Sequence, residues 1–347
     1  MKDLSKKITD FHYGKFSIFF AFAFIIPSIF YFIAISIKNF LYELKILKEK
    51  KTDIKVICVG NLTTGGVGKT PVVIEIANYF ADKGIKTAVL SRGYKGKLDN
   101  KNVNLIKDYN EILIDDPYLS GDEVNLIAKK VEGAAVITTS NRIKGAEFAK
   151  EKLGAEILIM DDGFSNRKIY KDLNIILIDS KKMFGNGFVL PFGPLREPVY
   201  EIKRADRVMV VNKNDDENKN LKKFIENLKM PYVRCVIKQD KIYNIKTNET
   251  VFADKKNVIA FSGIGQGGQF FNSLNEKFNV IKTFAFDDHF NYDQSTIDFL
   301  NNELNKLNAD ILLTTEKDTV KLLKFDNIEK IYAVSIKAEF ELEKIIN

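Results

Sequence analysis

Along most of the chain, short apolar stretches alternate with longer stretches in which apolar positions recur with a helical period. The short stretches are continuously apolar, which is typical of strands in a parallel sheet that helices cover on both faces. Helical patterns at residues 71–83 and 142–153 lie between them. This order predicts a doubly wound α/β domain. The first set of predicted strands covers residues 54–59, 87–90, 134–138, 157–160 and 175–178.

A second set of strand-like and helix-like stretches follows residue 200. Between its strands we predict a polar loop at residues 212–219 and a hairpin at residues 241–252. A helix is predicted at residues 295–307, with Asp293 as its N-cap. The strands of this set cover residues 207–211, 232–237, 258–261, 280–286, 311–314 and 331–334.

Residues 16–37 contain no charged residue and no histidine. As a helix this run would be about 33 Å long, enough to cross the hydrocarbon core of a bilayer. A cleaved signal peptide fits poorly because the run is long and no small-residue cleavage site follows it, and a core helix this aromatic would need a large protein around it. We therefore predict a membrane helix, kinked at Pro27. Basic residues flank both ends, and the sequence leaves open whether the helix spans the bilayer or inserts into one leaflet.

The net charge is +7, and the composition is rich in lysine. Such a charge favours contact with polyanions, which include nucleic acids, anionic lipid head groups and phosphorylated substrates. The chain shows no nucleic-acid-binding motif, so no nucleic acid partner is predicted. With two cysteines and two histidines, it has almost no candidates for a disulfide framework or a structural zinc site.

The segment 60–71, GNLTTGGVGKTP, lies between a predicted strand and a predicted helix, which is the context that a phosphate-binding loop requires. Its glycines let backbone N–H groups curl around phosphate oxygens, and the helix N-terminus adds its dipole. Lys69 is expected to reach the β- and γ-phosphates, and the Thr70 hydroxyl to bind Mg²⁺. Thr63 stands where the usual pattern has its first glycine. The predicted nucleotide-binding residues of this loop are Gly60, Asn61, Thr63, Thr64, Gly65, Gly66, Val67, Gly68, Lys69 and Thr70.

A second motif, ILIMDDGF at residues 157–164, ends an apolar strand in Asp161 and Asp162. Enzymes with a phosphate loop place an acidic residue at the end of a neighbouring strand to hold Mg²⁺. Two adjacent carboxylates also repel each other unless a cation lies nearby. Both aspartates are therefore predicted to bind the metal.

These motifs resemble, in order, those of the lipid A 4'-kinase (tetraacyldisaccharide 4'-kinase) family of P-loop kinases. The resemblance runs through nearly the whole chain and includes the threonine in the phosphate loop. The other shared motifs are SRGY at residues 91–94, GDE at 121–123, DDGF at 161–164, GPLREP at 193–198, FSGIG at 261–265 and TTEKD at 314–318.

The chain departs from the family pattern at four positions. Val124 replaces a proline, Ser165 and Asn166 replace a Gln-His pair, and Phe290 replaces a frequent second histidine. The roles of these four side chains stay open, whereas the phosphate chemistry does not depend on them.

The resemblance implies transfer of the γ-phosphate of ATP to the 4'-hydroxyl of a tetraacyl glucosamine disaccharide 1-phosphate, with Mg²⁺, at the cytoplasmic face of the inner membrane. It implies that Asp122 accepts the proton of the acceptor hydroxyl and that His289 pairs with Asp122. The implied partners are the glycolipid substrate and membrane lipids. The remaining implied site residues are Arg92, Tyr94 and Arg142 for the substrate, Arg196 for the transferred phosphate and Glu197 for Mg²⁺.

The combined prediction is an α/β protein with two α/β/α P-loop or Rossmann-like domains, each with a parallel sheet, behind an N-terminal membrane helix. The helix and its linker occupy residues 1–50, the kinase domain residues 51–200, and a second α/β domain that supplies His289 residues 201–347. Glu316, Lys317 and Asp318 are expected to cap a helix rather than to take part in chemistry.

Two alternative functions stay open from the sequence. One is a membrane-associated P-loop ATPase or GTPase that switches a protein partner, which predicts hydrolysis without an acceptor. A complete guanine-reading motif is lacking, because the stretch from Asn212 to Asn214 ends in asparagine. The other is a nucleotide-binding scaffold without turnover, which leaves Asp122 without a purpose.

Overall fold

The computed structural model describes residues 2–14, 17–213, 218–251, 255–265 and 267–346. Three predicted features fall partly outside these residues. They are the start of the apolar run at Phe16, part of the polar loop at residues 214–217, and the end of the hairpin at Phe252.

Within the described residues, twelve strands form one continuous sheet in the order β10-β9-β11-β12-β8-β7-β6-β1-β5-β2-β4-β3. The predicted strands are all present, and most differ from the predicted bounds by one or two residues. The strands are β1 Lys55–Gly60, β2 Thr87–Ser91, β3 Asn104–Lys107, β4 Ala134–Thr138, β5 Ile157–Asp161, β6 Leu173–Asp179, β7 Arg207–Asn212, β8 Tyr232–Asn244, β9 Asn257–Ser262, β10 Asn279–Ala285, β11 Ile311–Thr315 and β12 Ile331–Phe340.

Helices lie on both faces of this sheet, and β1, β2, β4, β5 and β6 are buried almost throughout. Asp293 caps α9 as predicted, because its side chain accepts the Thr296 N–H at 2.8 Å. The helices are α1 Lys2–His12, α2 Ile18–Glu43, α3 Lys69–Asp82, α4 Pro117–Ser120, α5 Asp122–Lys130, α6 Arg142–Glu151, α7 Leu221–Leu228, α8 Gly267–Leu274, α9 Gln294–Lys306, α10 Glu316–Leu322 and α11 Glu343–Ile346.

The sheet is mixed rather than wholly parallel. β3 is antiparallel to β4 at one edge, and β8 is antiparallel to β12 near the middle. The predicted short strand at 232–237 continues to Asn244 in the structure. The reason is that β12 pairs with β8 from Cys235, opposite Phe340, to Asn244, opposite Tyr332. The first arm of the predicted hairpin is therefore part of β8.

The predicted boundary at residue 200 falls between β6 and β7, which are parallel neighbours. The sheet thus continues from the first predicted domain into the second without a break, and the division into two domains stays a prediction. On one face of the first half, Ile57, Ile76 and Ile159 are fully buried between β1, β5 and α3. This packing fixes the start of α3 beside the ends of β1 and β5.

The apolar run forms α2, a helix long and apolar enough to cross a membrane by length and composition. Only 11% of its most apolar window is buried, so it is not a core helix. Three polar side chains attach it to residues 189–197. Ser28 Oγ donates to the Val189 carbonyl, Tyr31 Oη to the Arg196 carbonyl and Asn39 Nδ2 to Glu197 Oε2, each at 2.8 Å.

Candidate active site

The phosphate loop joins β1 to α3, and α3 begins at Lys69, two residues earlier than predicted. Gly65 and Gly68 have φ of +103° and +105°, a region that favours glycine. Gly60 is needed for a different reason, because a Cβ there would lie 2.6 Å from the Cβ of Phe164. These backbone conformations turn the chain directly into the N-terminus of a helix, where N–H groups attract anions.

Thr63 anchors the loop at the position where the usual pattern has glycine. Asn61 Nδ2 donates to the Thr63 carbonyl at 2.9 Å and to its hydroxyl at 3.2 Å. Thr63 also forms a bridge with Leu195, and the Thr64 N–H donates to the Pro194 carbonyl at 2.7 Å. The threonine therefore ties the phosphate loop to the GPLREP segment.

Asp161 and Asp162 lie beside the loop at the end of β5. Asp162 accepts a two-pronged hydrogen bond from Arg196, with both N–O distances 2.8 Å, and its Oδ1 lies 3.7 Å from Lys69 Nζ. Asp161 is buried and accepts a hydrogen bond from Ser91 Oγ at 3.0 Å. The two adjacent carboxylates thus have unequal partners.

The pKa values of Asp161 and Asp162 differ for this reason. Burial raises the pKa of Asp161 to about 6, and the neighbouring Asp162 carboxylate adds to this effect. Burial alone would also raise the pKa of Asp162, but Lys69 and Arg196 outweigh it and hold that pKa well below its usual range. Asp162 is therefore the carboxylate that Lys69 and Arg196 hold most closely.

We expect Asp161→Asn to stabilise the fold in the absence of nucleotide and Mg²⁺. A raised carboxyl pKa means that the native state favours the protonated form of Asp161. The protonated carboxyl therefore stabilises the fold below the pKa of the unfolded state, and this stabilisation is lost as the pH rises through about 6. At pH 7.5 the neutral amide should raise the free energy of unfolding by about 1–3 kcal/mol. Urea unfolding at pH 7.5 and pH 5 tests this, because the gain should shrink at pH 5.

Asp122 and His289 meet although they lie far apart in the sequence. His289 Nδ1 donates to Asp122 Oδ2 at 2.9 Å. Asp122 is the first residue of α5, and His289 follows β10 with a left-handed φ of +62°, held by its N–H to the Gly263 carbonyl. Lys321 Nζ, from α10, lies 2.9 Å from the same Asp122 oxygen.

The TTEKD segment at residues 314–318 begins α10 and also connects α10 to α5. The N-cap of α10 is Thr315, whose side chain accepts the Asp318 N–H, and the predicted capping residues 316–318 form the first turn of the helix instead. Lys130 of α5 pairs with Glu316 at 2.9 Å, and Lys317 pairs with Glu123 at 3.0 Å. These pairs hold α5 against α10 and so bring Asp122 to His289.

The predicted substrate residues occupy different environments. Arg92 and Tyr94 are exposed on the cleft, and the Tyr94 ring lies edge-on to His289 with centroids 6.0 Å apart. Arg142 is 4% exposed and donates to the carbonyls of Thr139 and Asp161. Its guanidinium therefore lies behind the carboxylate pair, with little surface on the open cleft.

Glu197 is not brought together with the other predicted metal ligands. Its carboxylate is fully buried and contacts Asn39 at 2.8 Å, Arg204 at 3.2 Å and Lys38 at 3.5 Å. The preceding residue, Arg196, points the other way, towards Asp162. Glu197 in this structure attaches the apolar helix, and its contact with Mg²⁺ stays a prediction.

Sequence reasoning missed two lysines of the site. Lys321 lies four residues after Lys317 on α10, a spacing that places both on one helix face and could have predicted their shared contact with α5. Lys213 follows β7, donates to the Gly66 carbonyl of the phosphate loop and pairs with Asp179 at 3.0 Å. In the sequence Lys213 is notable only as part of the incomplete guanine-reading stretch at residues 212–214, which does not predict its contact with the phosphate loop.

A single cleft contains the phosphate loop, the two aspartates and His289. Among the described residues no three His, Cys, Asp or Glu side chains are grouped closely enough to hold a metal by themselves. The carboxylates of Asp161 and Asp162 and the hydroxyl of Thr70 form an all-oxygen donor set, which suits Mg²⁺ if nucleotide phosphates complete it. The residues present therefore fit the ion.

Known proteins share both the sequence and the fold. The family model for tetraacyldisaccharide-1-P 4'-kinase matches residues 20–347. The tetraacyldisaccharide 4'-kinase of Aquifex aeolicus is 36% identical over 90% of this chain and 93% of its own, and that of Syntrophus aciditrophicus is 34% identical over 87% and 84%. A crystal structure of the Aquifex aeolicus enzyme LpxK in complex with ATP matches with a TM-score of 0.74, 33% identity and coverage of 92% and 95%. The chain belongs to the tetraacyldisaccharide-1-P 4'-kinase family.

Proposed function

We propose that this protein transfers the γ-phosphate of ATP to the 4'-hydroxyl of tetraacyldisaccharide 1-phosphate in lipid A biosynthesis. The observation that supports this most strongly is the cleft that the phosphate loop shares with His289, whose imidazole holds Asp122. A kinase needs a group that receives the acceptor proton, and a non-catalytic scaffold needs no such group.

The phosphate loop and Lys69 bind the triphosphate of ATP, and Arg196 neutralises the transferred phosphate. Arg196 also pairs with Asp162, so phosphate binding would exchange one anionic partner for another. Thr70, Asp161 and Asp162 hold Mg²⁺, which when bound supplies charge neutralisation on the phosphate oxygens. We do not include Glu197 in this set because it is committed to Asn39 and Arg204.

The acceptor side of the cleft is formed by Arg92, Tyr94 and Asp122. Asp122 accepts the proton of the hydroxyl as its oxygen attacks the γ-phosphorus, and His289 keeps the carboxylate in place. Arg92 and Tyr94 are exposed beside this pair and contact the glycolipid. Arg142 acts from behind, because its hydrogen bond to the Asp161 carbonyl fixes the end of β5.

The protein works at the inner membrane, with its catalytic part on the cytoplasmic side. Ser28, Tyr31 and Asn39 span about 16 Å of α2, and all three are bound to the catalytic part. A helix attached over this length cannot cross the bilayer with that stretch. We propose that α2 lies along the membrane and inserts its open face into one leaflet.

Replacing the exposed face of α2 should release the protein from membranes. Phe22, Ile26 and Phe30 are 77%, 61% and 69% exposed and follow one another at four-residue intervals. Each buried aromatic or aliphatic side chain contributes about 1.5–3 kcal/mol, so changing all three to serine should move the protein to the soluble fraction at physiological salt. Vesicle co-sedimentation measures this, with Phe299→Ser and Leu323→Ser as exposed apolar controls. Unchanged sedimentation of the triple variant would show that another surface binds lipid.

The position of the new phosphate tests the proposed reaction. Purified protein, ATP, Mg²⁺ and tetraacyldisaccharide 1-phosphate in detergent should give one product, with a phosphate ester on the 4'-oxygen detectable by phosphorus–proton NMR correlation. Free phosphate released at the same rate with and without the lipid would instead support the partner-switching ATPase.

A further inference from the structure

Both side chains that bind Asp122 use the same carboxylate oxygen. His289 Nδ1 and Lys321 Nζ each lie 2.9 Å from Oδ2. The shortest contact of each side chain is to Oδ2 rather than to Oδ1. Oδ2 is therefore the oxygen of Asp122 that the two neighbouring side chains hold.

Lys321 is itself held by groups other than Asp122. Its side chain is only 8% exposed, and its Nζ donates to the Phe290 carbonyl at 3.0 Å. Its Nζ also lies 5.8 Å from the ring centroid of Tyr292, whose hydroxyl donates to Asp318 at 3.1 Å. The ammonium group thus has a defined position before any substrate binds.

The electrostatic effect on Asp122 follows from these contacts. Burial alone would raise the pKa of Asp122, but the hydrogen bonds from His289 and Lys321 outweigh it and keep the pKa below its usual range. Other titratable groups that face Asp122, His289 and Lys321 are Lys317 and Asp318 of α10, Tyr292, and Asp288, whose carboxylate lies 3.8 Å from His289 Nε2.

We propose that Lys321 is a positioning residue for phosphoryl transfer, which fixes Oδ2 of Asp122 so that Oδ1 accepts the proton of the acceptor hydroxyl. This inference rests on the proposed function. In the step, the O–H bond of the acceptor breaks and its proton moves to Oδ1, while the acceptor oxygen bonds to the γ-phosphorus. The bond from that phosphorus to the bridging oxygen breaks, and its electron pair leaves on ADP. A weakly basic carboxylate is sufficient because the transition state is loose and catalysis depends on positioning.

Lys321→Met should lower kcat by about 10–100-fold and leave KM for ATP within about twofold, because Lys321 contacts Asp122 and the Phe290 carbonyl rather than the phosphate loop. The acid limb of the profile of kcat/KM against pH should move to higher pH, because the ionised form of Asp122 loses one stabilising cation. Lys321→Arg should return the limb towards its original position. If the methionine variant does not fold, Lys321→Gln, which keeps a donor without the charge, gives the same comparison.

Lys246→Met is the control, because it breaks an exposed ion pair, with Glu329, that contacts neither Asp122 nor His289. It should leave the pH profile unchanged. The double variant Lys321→Met/Asp122→Asn should be no slower than Asp122→Asn alone, as expected for a residue that acts through Asp122. Additive losses of kcat in the double variant, or an acid limb that does not move in Lys321→Met, would overturn the inference. The proposed function would still stand in that case, provided that the wild type transfers phosphate to the lipid. Absence of transfer by the wild type would overturn both.

Discussion

Changing Lys69 to alanine is expected to reduce phosphate transfer at least about 10³-fold, because the variant loses the cation that bridges the β- and γ-phosphates. Lys69 begins α3, and its Nζ lies 3.1 Å from Asn61 Oδ1 and 3.7 Å from Asp162 Oδ1. The same ammonium group therefore also neutralises the carboxylate pair. Initial rates at saturating ATP and lipid measure the loss.

The fold should survive this change, because Lys69 lies at the cleft and contributes nothing to the apolar core. Lys83→Ala, at the other end of α3, is the matched control and should keep full activity. Retention of more than about a tenth of wild-type activity by the Lys69 variant would mean that the loop does not bind the transferred phosphate in the way argued above.

Changing His289 to alanine is expected to lower kcat by about 10²–10⁴-fold, the usual size of a lost contribution to acid–base catalysis. The physical reason is geometric. Without the 2.9 Å hydrogen bond from Nδ1, the Asp122 carboxylate keeps only Lys321 and can rotate away from the acceptor hydroxyl. ATP binding should change little, because among the described residues the side chain of His289 binds Asp122 and Asp288 rather than the phosphate loop.

Titration calorimetry with a non-hydrolysable ATP analogue separates the two effects. The other histidine of the chain provides the control. His12 Nε2 lies 2.8 Å from the Pro191 carbonyl, and His12→Gln should preserve both binding and turnover. A collapse of nucleotide affinity in the His289 variant would contradict its assignment to proton transfer.

Local patterns were sufficient to predict most of the fold. Continuous apolar runs marked the buried strands, and Gly65 and Gly68 marked the turn into α3. The apolar helix α2 was predictable because no charged residue interrupts residues 16–37. The strand order and the antiparallel pairing of β8 with β12 could not be predicted, because pairing between distant segments leaves no periodic signal in either strand.

The site was predictable where its residues belong to one motif and not where they meet through the fold. The phosphate loop and Asp162 are examples of the first kind. Lys321 and Lys213 are examples of the second, because each depends on a partner far away in the sequence. Membership of a motif also does not guarantee a position in the site. Glu197 directly follows Arg196 in the GPLREP motif, yet its side chain turns away towards Asn39.

The most direct test of the proposed kinase activity follows the γ-phosphate of labelled ATP in parallel reactions with the wild type and Asp122→Asn. Both proteins receive Mg²⁺ and tetraacyldisaccharide 1-phosphate in detergent. We expect label on the lipid with the wild type, and label that stays on ATP with the variant. Label on the lipid at equal rates with both proteins would contradict the role of Asp122, and label only in free phosphate would contradict the kinase activity itself.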